Sequence, residues 1–191
     1  MKIVITTCRR PTPRTRSLVK DLVAVIPNAV RIVRGHLTLS MLALQAFDIG
    51  AARIVVIRNW KGNPRFLDLY TVTGPGNAVR MCTLVLKGFK LARECGWGLP
   101  SYRPRRLYIS LKDVAESGID ESVLECLIRG FCMHVSDVAK PPRETMKVVL
   151  ERKNERGIEY IELKFVDDEG SYRGPVLRLR GVARRCSIGP A

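Results

Sequence analysis

The chain has 191 residues, of which 46% are apolar and 27% charged, a composition typical of a globular protein with a hydrophobic core. Its 33 lysines and arginines outnumber its 18 aspartates and glutamates, and the net charge of +15 favours a polyanionic partner over a catalytic pocket. No apolar stretch approaches the roughly 20 residues of a membrane-spanning helix, and no signal peptide is visible, so we expect a cytoplasmic protein without a membrane partner.

The positive charge is unevenly distributed along the chain. Residues 1–100 carry 16 basic and 4 acidic side chains, a net charge of +12. Residues 101–191 carry 17 basic and 14 acidic side chains, a net charge of +3. The first half therefore supplies most of the electrostatic attraction that a nucleic acid would experience.

The first half alternates strand and helix patterns. Leu18, Leu22 and Ile26 recur at the i, i+4, i+8 spacing of an amphipathic helix, and a second helix ends at Gly50. The predicted strands cover residues 2–7, 29–33, 53–58 and 66–72, and the predicted helices cover 17–26 and 38–49. A turn at 59–64 joins the last two strands into a hairpin. Residues 74–77 (Gly-Pro-Gly-Asn) form the clearest break in the chain.

The second half begins after this break and is richer in strands. Residues 81–91 suggest a long strand or ribbon, 96–104 a loop, 107–111 a strand and 121–134 a helix. Alternating apolar positions then predict strands at 146–152, 158–166 and 176–182. The whole pattern indicates an α/β fold with mixed α+β character.

A segment rich in arginine joins the first strand to the first helix. Residues 6–16 read Thr-Thr-Cys-Arg-Arg-Pro-Thr-Pro-Arg-Thr-Arg. The free N–H groups and the positive dipole end at a helix start suit an anion, and arginines there oppose the usual preference for acidic residues in the first turn. The sequence therefore predicts an anion site, and the alternative is a solvated loop whose arginines only aid solubility.

Further basic residues fall at other loops of the first half, where they could share one rim of the sheet. Guanidinium groups bind phosphates bidentately, and an aromatic side chain among them offers a stacking surface for a single-stranded base. For Trp60 the alternative is an apolar cap over the hairpin, and for the arginines of the last strand it is a charged edge strand. The candidate RNA-binding residues are Arg9, Arg10, Arg14, Arg16, Lys20, Arg31, Arg34, Arg58, Trp60, Lys61, Arg65, Arg178 and Arg180.

Signals for catalysis or metal binding are weak. The two histidines, His36 and His134, lie outside any nucleophile pattern, and His134 is expected at the end of a helix. No phosphate-binding Walker loop and no Cys-x-x-Cys pair occurs. We therefore expect no catalytic residues, no metal, no cofactor and no small-molecule substrate.

The six cysteines are scattered, and we expect most of them to be buried thiols. Only one glutamine occurs, and scarcity of amides is a weak signal of a thermophilic protein. Because intracellular disulfides are common in hyperthermophiles, pairing of some cysteines stays open.

Three ordered motifs resemble the Brix domain family. Residues 6–22, which continue the arginine-rich segment with Ser-Leu-Val-Lys-Asp-Leu, are similar to the family's opening pattern, with Cys8 in place of the usual Ser and Leu18 in place of a frequent Phe. Residues 28–35 (Asn-Ala-Val-Arg-Ile-Val-Arg-Gly) and 58–64 (Arg-Asn-Trp-Lys-Gly-Asn-Pro) resemble the next two signatures in order and spacing. Gly-Pro and the Leu-Arg-Leu-Arg that follows at 174–180 resemble the closing strand region.

The resemblance implies one Brix domain over residues 1–191, made of two αβ halves, about 1–73 and 78–191. Each half would be similar to the anticodon-binding domain of class IIa aminoacyl-tRNA synthetases. It further implies a non-catalytic ribosome-biogenesis factor of the compact archaeal type that binds ribosomal RNA precursors, and possibly ribosomal or assembly proteins. Two alternatives remain at this point: a protein-docking module in a pre-ribosomal complex, and an RNA-modifying enzyme, for which no nucleophile or general base is evident.

Overall fold

A computed structural model describes residues 1–137 and 142–183. The helices are α1 (Pro13–Val25), α2 (Leu39–Asp48), α3 (Ala92–Cys95), α4 (Leu111–Ser117) and α5 (Glu121–Phe131). The strands are β1 (Lys2–Thr7), β2 (Ala29–Arg31), β3 (Ala51–Trp60), β4 (Asn63–Gly74), β5 (Asn77–Lys90), β6 (Arg106–Ile109), β7 (His134–Val135), β8 (Thr145–Glu155), β9 (Ile158–Val166) and β10 (Tyr172–Val182). None of the helices in these two ranges is long and apolar enough to cross a membrane.

The strands form one mixed sheet in the order β2-β1-β3-β4-β5-β10-β9-β8-β6-β7. β1 is parallel to both β2 and β3, and β6 is parallel to both β7 and β8, whereas the remaining pairs are antiparallel. Read from each edge inwards, strands β1 to β5 and strands β6 to β10 therefore follow the same topology. The two copies meet at the centre of the sheet, where β5 pairs with β10.

The helices pack on both faces of the sheet. α1 and α5 cover one face and share its large apolar core, which includes Leu22, Leu69 and Phe131. α2 covers the first half of the opposite face over a smaller core. α1 also reaches β10, and α5 reaches β3, β4 and β5, so each of these helices packs on strands of the other copy. The two copies consequently share one continuous core.

The α/β prediction is confirmed, and the pattern located strand β9 at its observed bounds. Helix α1, however, begins at Pro13, four residues earlier than predicted. Thr12 supplies the N-cap, since its hydroxyl accepts a hydrogen bond from Thr15 N, and proline suits the first helical position because it has no N–H to leave unsatisfied. Arg14 and Arg16 therefore lie in the first turn of the helix and not in a loop.

The second half differs more from its prediction. Helix α5 ends at Phe131 because Cys132 adopts the left-handed conformation with φ of 53°. His134 lies in β7, paired with Tyr108 of β6, so its placement at a helix end was wrong. The short helices α3 and α4 were not predicted. The strand expected at 107–111 ends at Ile109, and α4 begins at Leu111.

Two cysteines form a disulfide, a pairing that the sequence left open. Cys82 of β5 is joined to Cys126 of α5, 44 residues apart in sequence. Within residues 1–137 and 142–183, Cys8, Cys95 and Cys132 are free thiols. The bond ties β5, the last strand of the β1–β5 copy, to helix α5, which lies in the β6–β10 copy.

The predicted break at residues 74–77 is the turn of the β4–β5 hairpin, inside the continuous sheet. β5 pairs with β4 along most of its length, and the repeated strand order ends with β5. The division into halves stays a prediction, and the strand order favours a boundary in residues 91–105, between β5 and β6, over the hairpin turn.

Candidate nucleic-acid interface

The carboxyl ends of β1, β2 and β3 meet at one edge of the sheet, because these three strands are parallel. The loop after β1, the loop after β2 and the turn after β3 all lie there. The Cys8 amide donates to the Ile57 carbonyl at 2.8 Å, and the Thr6 hydroxyl donates to the Ile32 carbonyl at 2.7 Å. We refer to the residues that these segments and the first turn of α1 place there as the basic edge: Arg9, Arg10, Arg14, Arg16, Arg34, Arg58, Trp60 and Lys61.

The loop of the basic edge is fixed by hydrogen bonds to β3. The Thr15 side chain is fully buried, and its hydroxyl donates to Asn59 Oδ1 at 2.6 Å. Asn59 Nδ2 in turn donates to the Arg10 carbonyl at 3.5 Å. Because both bonds bridge residues more than 40 positions apart, the loop and the start of α1 are held in one arrangement against the end of β3.

The electrostatic potential at the basic edge is positive from two sources. α1 has no acidic residue in its first turn, so no carboxylate of the helix itself offsets the positive end of its dipole. Burial lowers the pKa of the Arg34 guanidinium, and the nearby positive charge of Arg9 lowers it further. An anion bound here would relieve this repulsion between like charges.

Arg58 has a partner within the fold. Its guanidinium binds both carboxylate oxygens of Asp68 and lies over the Phe66 ring, 4.7 Å from the centroid. Asp68 is only 2% exposed and accepts a further hydrogen bond from the Thr83 hydroxyl at 2.6 Å. The hydrogen bond to Asp68 raises the pKa of Arg58. Arg58 therefore neutralises a buried carboxylate, and its charge is not free for a phosphate.

Arg14 is also paired within the fold. It forms an ion pair with Glu94 at 3.0 Å and lies 5.0 Å from the Phe89 ring centroid. Arg16 donates to the Pro11 carbonyl at 3.2 Å, and its guanidinium has no acidic partner in the described part of the chain. Arg14 therefore contributes less free charge to the basic edge than Arg16.

Besides Arg14 and Arg16, four members of the basic edge are exposed: Arg9, Arg10, Trp60 and Lys61. Among residues 1–137 and 142–183, no acidic side chain pairs with the three cationic members. Trp60 is 61% exposed, so most of its ring surface is open to solvent. These side chains combine free positive charge with an open aromatic surface.

Five candidates are not included in the basic edge, although Lys20, Arg31 and Arg65 lie next to it. Arg31 is exposed on the edge strand β2, and Lys20 is exposed one turn beyond Arg16 on α1. Arg65 donates to the Lys87 carbonyl at 3.4 Å. Two candidates lie on β10: Arg178, which pairs with Glu162 at 3.1 Å, and Arg180, which is exposed.

The equivalent edge of the second half carries a different charge. The carboxyl ends of β6 and β7 border a cleft of about 660 Å³ whose lining includes Asp137, Asp168 and Glu169 as well as Lys112. The sequence-level charge asymmetry therefore corresponds to a basic edge in the first half and a mixed, more acidic edge in the second.

Sequence reasoning missed the basic residues of the segment between β5 and β6. Arg103 and Arg105 line a cleft of about 780 Å³ together with Lys20 of α1. The available signal was the run Arg-Pro-Arg-Arg at 103–106, which was treated only as a loop. Within the described residues, no group of three or more His, Cys, Asp or Glu side chains could hold a metal ion.

Comparisons with known proteins give consistent relatives. A protein of Aeropyrum pernix named a probable Brix domain-containing ribosomal biogenesis protein is 36% identical over 177 residues, which cover 92% of this chain and 93% of that protein. A Thermococcus kodakarensis protein of the same name is 36% identical over 63% of this chain and 57% of its own length. No family model matches.

Solved structures give the same relationship. The crystal structure of a probable ribosomal biogenesis protein from Aeropyrum pernix has a TM-score of 0.78 at 35% identity and covers 96% of this chain and 97% of that one. An archaeal Imp4-like protein shares the fold, with a TM-score of 0.61 at 18% identity over 94% of this chain and 98% of its own. The sequence and structural matches together extend over nearly the whole chain, and it belongs to the Brix domain family.

Proposed function

We propose that the protein is a non-catalytic ribosome-biogenesis factor that binds a ribosomal RNA precursor through the basic edge. The observation that carries this proposal is a set of cations without an acidic partner among the described residues, Arg9, Arg10 and Lys61, grouped with exposed Trp60 around the start of α1. The names of the archaeal relatives support the biogenesis role. The proposed place of action is the cytoplasm.

The chemistry of the basic edge suits the RNA backbone. Arginine side chains donate two parallel hydrogen bonds to a phosphate, and the positive dipole end of α1 adds to the attraction. Trp60 offers its face to an unstacked base, as aromatic side chains do in single-stranded RNA recognition. Because the Thr15 and Asn59 hydrogen bonds already fix the loop, binding would cost little conformational entropy there.

Such a site would recognise structured RNA by its shape and would bind its single-stranded segments. It would assist rRNA processing or assembly by holding these segments in place. The repeated strand topology agrees with the two related halves that the family resemblance implies. The likeness of each half to a class IIa synthetase anticodon-binding domain belongs to this proposal as well.

Fluorescence anisotropy with transcripts tiling the cognate ribosomal RNA precursor tests the proposal. We expect Arg9→Ala/Arg10→Ala to weaken binding and to make the slope of log K against log salt shallower by about 1.4, the value for two lost single-strand phosphate contacts. The matched control is Lys112→Ala/Arg129→Ala, which removes the same charge from exposed residues already paired with Glu116 and Glu125. Equal effects of the two variants, or none from either, would contradict the proposal.

A second candidate function is protein docking in a pre-ribosomal complex. The observation in its favour is the exposed apolar stripe of α2, formed by Met41, Leu44 and Phe47, each about half exposed. Copurification of a ribosomal or assembly protein that survives nuclease treatment, and is lost in Leu44→Asp, would favour docking over direct RNA contact.

A further inference from the structure

A second basic surface lies beside α1, beyond the residues of the basic edge. One wall of the 780 Å³ cleft is formed by α1, including Lys20 and Ala24, and the other by residues 100–105, including Arg103. Lys20 and Arg103 have no ion-pair partner within the described ranges, whereas Arg105 pairs with the one acidic lining residue, Glu144, at 2.5 Å. The cleft therefore presents two free cations from opposite walls.

The wall formed by residues 100–105 is anchored to the second half of the protein. The Tyr102 hydroxyl donates to Asp168 Oδ1 at 2.8 Å, and the Arg105 amide donates to the Glu144 carbonyl at 2.7 Å. The opposite wall, α1, is fixed through its buried face. The cleft is consequently a preformed groove between elements of the two halves.

The groove continues the basic edge along α1. Arg16 and Lys20 are four residues apart, one helical turn, and so lie on the same side of α1 about 6 Å apart along its axis. The neighbouring acidic residue, Asp21, accepts a hydrogen bond from the Ala92 amide at 2.9 Å and is thereby engaged with α3. The full helix of 13 residues spans about 20 Å, which separates the basic edge from the far end of the groove.

We propose that one single strand of RNA runs from the basic edge along α1 into this groove, where Lys20 and Arg103 bind its phosphates from opposite walls. The inference rests on the proposed RNA-binding function and adds a direction and a length to it. A strand is favoured over a small phosphorylated ligand because the cations form a series from Arg9 and Arg10 through Arg16 to Lys20 and Arg103. An isolated pocket would need no such series.

The test compares two oligonucleotide lengths with wild type, Lys20→Ala/Arg103→Ala, Arg9→Ala/Arg10→Ala and the control Lys112→Ala/Arg129→Ala. The probes are unstructured RNAs of about 5 and about 15 nucleotides, within the range of single-strand site sizes. We expect Lys20→Ala/Arg103→Ala to bind the short RNA as wild type does. For the long RNA we expect roughly tenfold weaker binding and a salt slope shallower by about 1.4. All four substituted positions in the two test variants are exposed, so the variants should fold.

Several results would overturn the proposal. One is wild-type binding of both RNAs by Lys20→Ala/Arg103→Ala; if Arg9→Ala/Arg10→Ala still weakens binding, the basic edge stands and only the groove is refuted. Loss of affinity for the long RNA equal to that of the control variant would also refute it. A third result is saturable binding of a mononucleotide that Lys20→Ala/Arg103→Ala abolishes and that the long RNA does not compete with. This result would assign the groove to a small ligand instead.

Discussion

Breaking the Cys82–Cys126 disulfide is predicted to lower the melting temperature substantially. The bond closes a loop between residues 44 apart in sequence, and the chain-entropy relation gives about 4 kcal/mol of stabilisation for a loop of that length. For a domain of 150–250 residues, each kcal/mol shifts the melting temperature by about 2–4 °C. We therefore expect a decrease of roughly 8–16 °C on reduction.

Circular dichroism melts of oxidised and reduced wild type, and of Cys82→Ala/Cys126→Ala, measure this effect. Comparison of the two wild-type forms isolates the bond from the side-chain volume lost in the variant. Cys95→Ser/Cys132→Ser, which removes two free thiols, serves as the control and should retain its sensitivity to reduction. A difference below about 3 °C between oxidised and reduced wild type, less than about 1.5 kcal/mol on the same scale, would refute the reasoning.

Three further predictions concern stability. Arg58→Ala should destabilise the fold by about 2 kcal/mol in urea melts, because it leaves the buried Asp68 carboxylate unpaired, and a cost below about 0.5 kcal/mol would mean that the pair is not structural. Gly130→Ala should also destabilise the fold, by about 1–3 kcal/mol, because the added Cβ would lie 1.8 Å from Leu69 Cδ2. This cost should exceed the gain from the better helix propensity of alanine, and an unchanged or higher melting temperature would contradict the prediction. Hydrogen bonding to Lys164 lowers the pKa of Glu151 below its ordinary 4.5. The ionised Glu151 therefore stabilises the fold above about pH 5, and this contribution is lost as the pH falls through the folded-state pKa. Glu151→Gln should make the free energy of unfolding depend less on pH below pH 5, and identical pH dependence in the variant and wild type would argue against the pairing.

The sequence pattern predicted elements whose signal is local. The periodicity of Leu18 and Leu22 located α1, and strict alternation located β9 at its observed bounds. The start of α1 was misplaced because the Pro-rich segment was interpreted as a loop, although Thr12 and Pro13 fit the N-cap and first positions of a helix. The end of α5 depends on the left-handed conformation of Cys132, for which a non-glycine residue gives little warning.

The state of each candidate cation depends on long-range packing and could not be predicted. Arg58 is paired because the β3–β4 and β4–β5 registers bring Asp68 and Thr83 beside it. Arg103 became a candidate only because residues 100–105 fold back against α1. The cysteine pair likewise requires α5 to pack on β5, and nothing in a separation of 44 residues signals it.

The most direct test of the RNA-binding interface is ultraviolet crosslinking of the protein to its ribosomal RNA precursor, with mass spectrometry of the crosslinked peptides. We predict crosslinks in residues 9–16 and at Trp60 or Lys61. Crosslinks confined to the second half outside residues 100–105, with none in the basic edge, would contradict RNA binding through that surface.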